Sequence, residues 1–516
     1  MKAASPAKKS ASPKRAPSPK KASPKKASAE VAEPTTANGL AVPVRRIMKA
    51  NTHINVKANE AKRKFTPEAD MWVMHWEFGG TVGAIAFIIF SHVLIYYLWV
   101  CIDKFKGEVI YPGHPSLNGG DMFDAFWSHV TTYANPTLKT FGILSAFYTL
   151  QYVLAVILPG PVTYGLPIPS ENGYQFPYKC NAVYTWYIIL ITVAALHFTD
   201  IFPLYALRDE FGRYMTAAVI WGDAVSVLIY ASGFFGSTPR KFRMTGEIIY
   251  DFFMGSVLNP RLPGNIDIKL WAEIRNSWVL LFMLTISCAA KQYQEDGAIS
   301  TSMWFMILAH FLYVNACQKG EECICTTWDI YYEKFGWMLI FWNFAGVPFV
   351  YCFQSLFLQT VKPEAWSWYV YAFMFPALIA CYYIFDNVNS QKNRFRMKRQ
   401  GVDDAIIRRK TFPQLPWGYI ENPKTLRSAD GKLELFCDGW YQYGRKIHYT
   451  VDMCMSFMWG MSCGFTHFIP FFYFCFFFSH LTHRQARDDE RCRKKYGKLW
   501  DAYTYHVPYK FIPYVY

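Results

Sequence analysis

From residue 79 onward the chain is built of apolar runs separated by short polar stretches. Such runs occupy 79–102, 141–158, 184–207 and 216–235, then 277–290, 303–316, 336–358, 367–385, 449–464 and 468–481. A helix of about 20 apolar residues crosses a bilayer, so the pattern predicts an all-α, polytopic membrane protein with about ten transmembrane helices. The polar positions fall between them, in 259–275, in 320–343, in a long basic loop containing 392–410, and after residue 482.

Residues 1–60 form a different kind of chain. They are rich in Lys, Ala, Ser and Pro, with SPKR at 12–15 and SPKK at 18–21 and 23–26. Nothing there could bury a core, so a disordered basic tail is expected. No apolar segment of signal-peptide type occurs in it. The SPKK units resemble those of histone tails, which raises DNA as a partner. Attraction to anionic lipid at a cytosolic membrane face, tunable by serine phosphorylation, is the simpler expectation.

Composition sharpens the membrane reading. Hydrophobic residues make up 52% of the 516, and aromatics alone 19%, more than an ordinary soluble domain carries. The net charge of +15 is concentrated toward the tail and the basic loop, which places both on the cytosolic side. With an even number of spans the two termini share that side. The 13 cysteines lie mostly in or beside apolar runs, without zinc spacing, and read as packing residues of a reducing compartment. No GxGxxG follows a strand and no GxxxxGK[ST] occurs, so Rossmann and P-loop sites are not supported. His480 and His483 make one HxxH, and the other histidines are scattered singly, His92, His197 and His310 among them. That argues against a di-iron centre, and no metal site is expected.

Four polar stretches carry candidate chemistry. Glu321, Glu322, Asp329 and Glu333 stand between two apolar runs, and carboxylates at membrane depth are costly enough to be functional candidates, although a solvated turn would look the same. Lys392 and Arg396 lie four apart, able to grip phosphate from one helix face or simply to anchor a span end. In 436–452, Phe436, Tyr441, His448 and Tyr449 interleave with Arg445 and Lys446, which suits either a nucleotide or an interfacial aromatic belt. Beyond the last run, Asp488, Cys492, Tyr496, Leu499 and Tyr503 share one stripe if helical, ringed by Arg487, Arg491, Arg493, Lys494 and Lys495. That stripe reads either as a lipid anchor or as a wall for an anionic cofactor.

The stretches NSQKNRFR (389–396), RKTFPQLPW (409–417), CDGWYQYGRKIHYTVD (437–452) and HRxxRDxxRCxxKYGxxWxxYxxxVPYxxxPYVY (483–516) together resemble the sterol reductase family of the endoplasmic reticulum membrane, which includes the C-14 and C-7 reductases and the lamin B receptor. The resemblance covers 76–516. With HFTDIFPL (197–204), TGEIIYDFFMG (245–255), LNPRLPG (258–264) and the segment 309–336, it is strongest to the branch acting on the sterol C24(28) double bond. Lys446–Ile447–His448 stands where the C-14 and C-7 branches carry His-Pro-Asn.

The resemblance implies a multi-pass enzyme of the endoplasmic reticulum membrane with cytosolic termini, which reduces a membrane-embedded sterol with NADPH. The cofactor site would form mainly within 389–516. Its contacts, carried over by motif, would be Lys392, Arg396, Phe436, Tyr441, His448, Tyr449, Asp488, Cys492, Lys495, Tyr496 and Tyr503, with Phe436 and His448 standing where other branches more usually carry Leu and Asn. Alkene reduction by hydride needs a proton donor. The resemblance suggests Tyr313 and Asp488 as a relay, with Glu321 or Glu322 as a second candidate. The alternatives are C-14 or C-7 reduction, a non-catalytic chromatin and membrane tether like the lamin B receptor, and a membrane methyltransferase of the isoprenylcysteine type.

Overall fold

The apolar runs become helices because hydrocarbon offers their peptide groups no partner, and a helix satisfies them internally. The computed structural model describes residues 54–66, 76–235, 241, 243–402, 407, 418–431 and 433–515. A single compact unit spans 47–516. The basic repeats of the tail and the 409–417 motif lie outside the described residues. In chain order the principal helices are α1 (Val56–Lys62), α2 (Gly80–Asp103), α3 (Leu138–Ile157), α4 (Ala182–Phe198), α5 (Phe211–Ser232), α6 (Trp278–Asp296) and α7 (Thr301–Lys319). They continue as α8 (Trp337–Thr360), α9 (Trp368–Arg399), α10 (Ile447–Met461), α11 (Ile469–Tyr496) and α12 (Lys498–His506).

Five of these, α2, α3, α5, α8 and α9, are both long and apolar enough to cross a membrane, and α4 is a shorter apolar helix. The expectation of about ten spans is therefore met by five on that measure. The other expected runs are helices too, but each mixes its apolar stretch with polar residues. Within α6 and α7 the Thr285 and His310 side chains are buried and joined, Oγ1 to Nδ1 at 2.6 Å. The largest core cluster gathers side chains from α2, α3, α5 to α9, α10 and α11, with Trp99, Trp337 and Trp459 almost wholly enclosed.

Helix length positions the polar ends. At 1.5 Å per residue the 32 residues of α9 extend about 48 Å, well beyond a hydrocarbon core of about 30 Å. Its last turns, which carry Lys392, Arg396 and Arg399, therefore project past the apolar layer. These residues were expected in a loop, but nothing in KNRFRMKR breaks a helix and α9 runs unbroken to Arg399. The 28-residue α11 likewise carries Asp488, Cys492 and Tyr496 beyond its phenylalanine-rich half.

Two further expectations are corrected. The tail was expected to be disordered to residue 60, but α1 is capped by the Asn55 side chain, and its buried Asn59 amide exchanges hydrogen bonds with the Gln175 backbone. The stripe expected to continue from Asp488 to Tyr503 on one helix is interrupted at Gly497. That residue has φ 51° and ψ −128°, open to glycine but strained for any residue with a Cβ, and α12 restarts there. The fold is also not purely helical. Three two-stranded antiparallel ribbons occur among the described residues: β1–β2 (Val162–Tyr164, Pro177–Lys179), β3–β4 (Arg261–Leu262, Ile266–Asp267) and β5–β6 (Thr425–Arg427, Glu434–Phe436). The last pairs Thr425 with Phe436 and so delivers Phe436 toward the end of α9, where its ring meets Phe395 at 5.1 Å.

Candidate cofactor cavity

A cavity of about 560 Å³ opens where the polar ends of α9 and α11 converge. One wall is the end of α9, with Lys392, Arg396 and Arg399. A second is the segment after β6, where a 3₁₀ turn (Gly439–Gln442) and the start of α10 supply Tyr441, Arg445, Lys446, His448 and Tyr449. The third is the outer half of α11 with Trp500 and Tyr503 of α12, and 326–328 with Tyr331 completes the enclosure. All eleven residues carried over as cofactor contacts line it: Lys392, Arg396, Phe436, Tyr441, His448, Tyr449, Asp488, Cys492, Lys495, Tyr496 and Tyr503. Of the stripe, Leu499 is not part of the lining, and Trp500 takes its place because the helix restarts at Gly497.

The field inside is strongly positive. Nine basic side chains (Lys392, Arg396, Arg399, Arg445, Lys446, Arg484, Arg487, Arg491 and Lys495) face two carboxylates, Glu434 and Asp488. Several are held in place by partners. Arg484 makes a two-pronged contact with Asp329 at 3.2 and 2.7 Å, and Arg487 reaches Glu333 at 3.0 Å and also Glu77. Arg491 lies 3.9 Å above the Trp328 ring and bonds Tyr331 and Asp488. Lys392 sits over Tyr441 at 5.2 Å and Lys495 over Tyr496 at 5.0 Å. Among the described residues, Lys392, Arg396 and Lys495 have no carboxylate at ion-pair distance.

Asp488 is clasped by Lys446 and, at 2.9 Å, by Arg491. Burial raises its carboxyl, but the two cations outweigh burial and hold it well below the usual carboxylate range. Burial lowers the Lys446 ammonium, and the Asp488 charge more than restores it, so this lysine stays protonated. The two groups are an ion pair at any pH near neutrality.

The candidate proton donors divide. Asp488 lines the cavity; Tyr313, Glu321 and Glu322 do not. Tyr313 is not bonded to Asp488. Its hydroxyl donates to Asp452 Oδ2 at 3.4 Å, inside a cage of Trp278, Phe385 and Trp459. Asp452 is four residues after His448 on α10, one turn deeper on the same face as a residue of the cavity wall. Glu321 is tied to Arg275 at 2.5 Å and accepts from the Ala182 amide, and Glu322 is paired with Arg394 at 2.9 Å. Burial pushes the Glu321 carboxyl up despite its arginine.

The sequence alone does not single out Asp452, Arg484 and Trp328. Asp452 closes the motif CDGWYQYGRKIHYTVD, and its spacing from His448 was the available signal. Trp328 carried none, because its partner Arg491 is far along the chain.

The lining fits a dinucleotide phosphate. Among its buried polar atoms, Tyr441 Oη, His448 Nδ1, Arg445 Nε and Trp500 Nε1 have no hydrogen-bond partner among the described residues, and such atoms call for a bound group or water. Unpaired lysines and arginines match phosphates, and the tyrosines and Trp500 offer faces for rings. No group of three or more metal-ligating side chains occurs among the described residues.

Comparison with known proteins finds sterol reductases. The Ergosterol biosynthesis ERG4/ERG24 family matches residues 73–516. The Delta(24(24(1)))-sterol reductase of Gibberella zeae is 43% identical over 445 residues, 85% of this chain and 73% of that protein. The Aspergillus fumigatus Delta(24(24(1)))-sterol reductase erg4A is 42% identical over 463 residues, 88% of this chain and 96% of the relative. A Delta(14)-sterol reductase of Dictyostelium discoideum is 32% identical over 482 residues, 92% and 99% of the two chains.

Proposed function

The chain belongs to the ergosterol biosynthesis ERG4/ERG24 family, and from that premise we propose that it is an NADPH-dependent oxidoreductase of the endoplasmic reticulum membrane that reduces the C24(28) double bond of a sterol side chain. The substrate choice rests on identity of 42–43% to two Delta(24(24(1)))-sterol reductases, against 32% to a Delta(14)-sterol reductase. The observation that carries the cofactor is the cavity itself, in which every contact implied by motif meets in one cationic enclosure. Its position past the apolar layer suits a cytosolic mouth and cytosolic termini.

In this reading Lys392, Arg396 and Lys495, free of carboxylates among the described residues, hold the phosphates. Tyr441, Tyr449, Tyr496 and Tyr503 flank the rings, and the nicotinamide supplies hydride when bound. Asp488 positions Lys446 and Arg491 rather than passing a proton, because two cations keep it ionised. The proton comes from Tyr313, whose phenol is backed by Asp452. Protonation at C28 breaks the exocyclic π bond and leaves a tertiary cation at C24, which hydride quenches. Asp452, as the carboxylic acid, then returns a proton to the phenolate and regains its own from solvent. Glu321 and Glu322, each bound to an arginine, serve as structural counter-ions.

Deleting the gene and profiling sterols by mass spectrometry tests the substrate. Accumulation of 24(28)-methylene sterols is expected. Accumulated 8,14- or 7-unsaturated sterols would assign the chain to another branch, and an unchanged profile would favour a tethering role.

A further inference from the structure

The sterol has two ends, and the cavity accounts for one. Midway along helices long and apolar enough to span the membrane stands a polar group that the cofactor site does not use. His92, midway along α2, places Nε2 3.1 Å from Asp223 Oδ2, midway along α5, and Trp337 at the start of α8 donates Nε1–H to Asp223 Oδ1 at 2.8 Å. His92 Nδ1 lies 2.8 Å from the Ile88 carbonyl, which can only accept, so Nδ1 carries a proton. The second contact is then either an imidazolium beside a carboxylate or a neutral imidazole beside a carboxylic acid. Either way one proton is shared and the pair is neutral overall.

Such a pair is costly in hydrocarbon, and it is not sealed: the His92 and Asp223 side chains remain 30% and 42% accessible. An open carboxylate acceptor in an apolar wall fits a ligand with one hydroxyl on an apolar body.

A ladder of packed rings links the pair to the cavity. Arg487, part of the cavity lining, lies over the Phe78 ring at 5.8 Å and pairs with Glu77, immediately before α2. From Phe78 the rings run to Phe253 at 5.6 Å, on to Trp337 at 6.1 Å, and to His92, stacked on Trp337 at 5.6 Å. Twelve residues along α2 from Gly80 to His92 amount to about 18 Å, close to the length of a sterol from its C3 oxygen to the end of its side chain.

We propose that His92, Asp223 and Trp337 form the seat of the sterol 3β-hydroxyl, so that the sterol lies along α2 with its side chain at the cavity. This placement rests on the reduction proposed above. It makes the hydroxyl a measuring stick: anchoring one end sets which double bond reaches the reducing end.

The test compares a 24(28)-methylene sterol with its 3-deoxy analogue, using purified full-length protein with NADPH. Wild type is expected to favour the hydroxylated sterol in kcat/KM by at least about a hundredfold, as a site built for a hydroxyl rejects its absence. Asp223→Asn and His92→Phe are expected to cut that preference at least tenfold, with NADPH binding intact. Comparing enzyme forms cancels any difference in how the two sterols partition. Equal treatment of the two sterols by wild type, or variants that keep the full preference while losing activity on both, overturns the proposal. Should the variants lose NADPH binding, or wild type reduce neither sterol, photolabelling of wild type with a ring-A diazirine sterol decides. Label in α2 or α5 near His92 and Asp223 supports the seat, and label confined elsewhere overturns it. Failure of reduction with correct labelling would count against the proposed function alone.

Discussion

At the scale of residues, the account separates groups that hold charge from groups that move a proton. Asp488 is anchored by two cations, and its carboxyl is depressed when folded. Its contribution to stability is therefore present above the ordinary aspartate value of about 3.9 and is lost only as pH falls through its lower folded value. Across pH 6–8 neither Asp488 nor Lys446 titrates, so a pH dependence of NADPH affinity in that window would have another source. Tyr313→Phe and Asp452→Asn should cut kcat by about a hundredfold or more and leave the NADPH dissociation constant within about twofold of wild type. Asp488→Ala should instead weaken NADPH binding, because Lys446 and Arg491 lose their shared anchor. Single-turnover rates and equilibrium titrations separate the two classes, and wild-type kcat in Tyr313→Phe would remove that phenol from the mechanism. Sequence exposed Asp488 because it sits in a dense, charged motif. The Tyr313–Asp452 and His92–Asp223 pairs stayed hidden because their partners lie 139 and 131 residues apart. Each member is one of a few polar residues in a mostly apolar run, and His92 read alone looks like a packing histidine.

At the scale of elements, periodicity located the apolar runs well, since each maps onto a helix, but it could not say where a helix stops. KNRFR reads as loop because it is cationic, whereas lysine and arginine propagate a helix as readily as leucine, and only the 32-residue length of α9 puts them at the cavity. Gly497 was the opposite case, a visible breaker whose consequence is geometric. By ending α11 it turns α12 so that Trp500 and Tyr503 both line the cavity. Gly497→Ala should strain this joint, costing roughly 1–3 kcal/mol. Open space surrounds the glycine, so the penalty would come from its backbone and not from a clash. The readouts are a lower melting temperature and weaker NADPH binding. A variant with unchanged melting temperature would show that the joint tolerates another conformation.

At the scale of the whole molecule, the membrane character and the cationic outer end were legible in the hydropathy and charge patterns, and the family in its terminal motifs. The number of helices able to span was not, because length and apolarity part company wherever polar residues enter a core helix, as in α6 and α7. The assembled picture is an apolar bundle with a polar seat midway along two spanning helices and a cationic cavity at one end. In the proposed reaction the hydride comes from the cavity and the proton from Tyr313. The most direct test of that picture is reduction of a 24(28)-methylene sterol by the purified full-length protein with NADPH deuterated at the transferred C4 position. The account predicts a saturated side chain with one deuterium at C24 and solvent hydrogen at C28. No reduction, deuterium at C28, or reduction of a ring double bond in place of the side chain would contradict it.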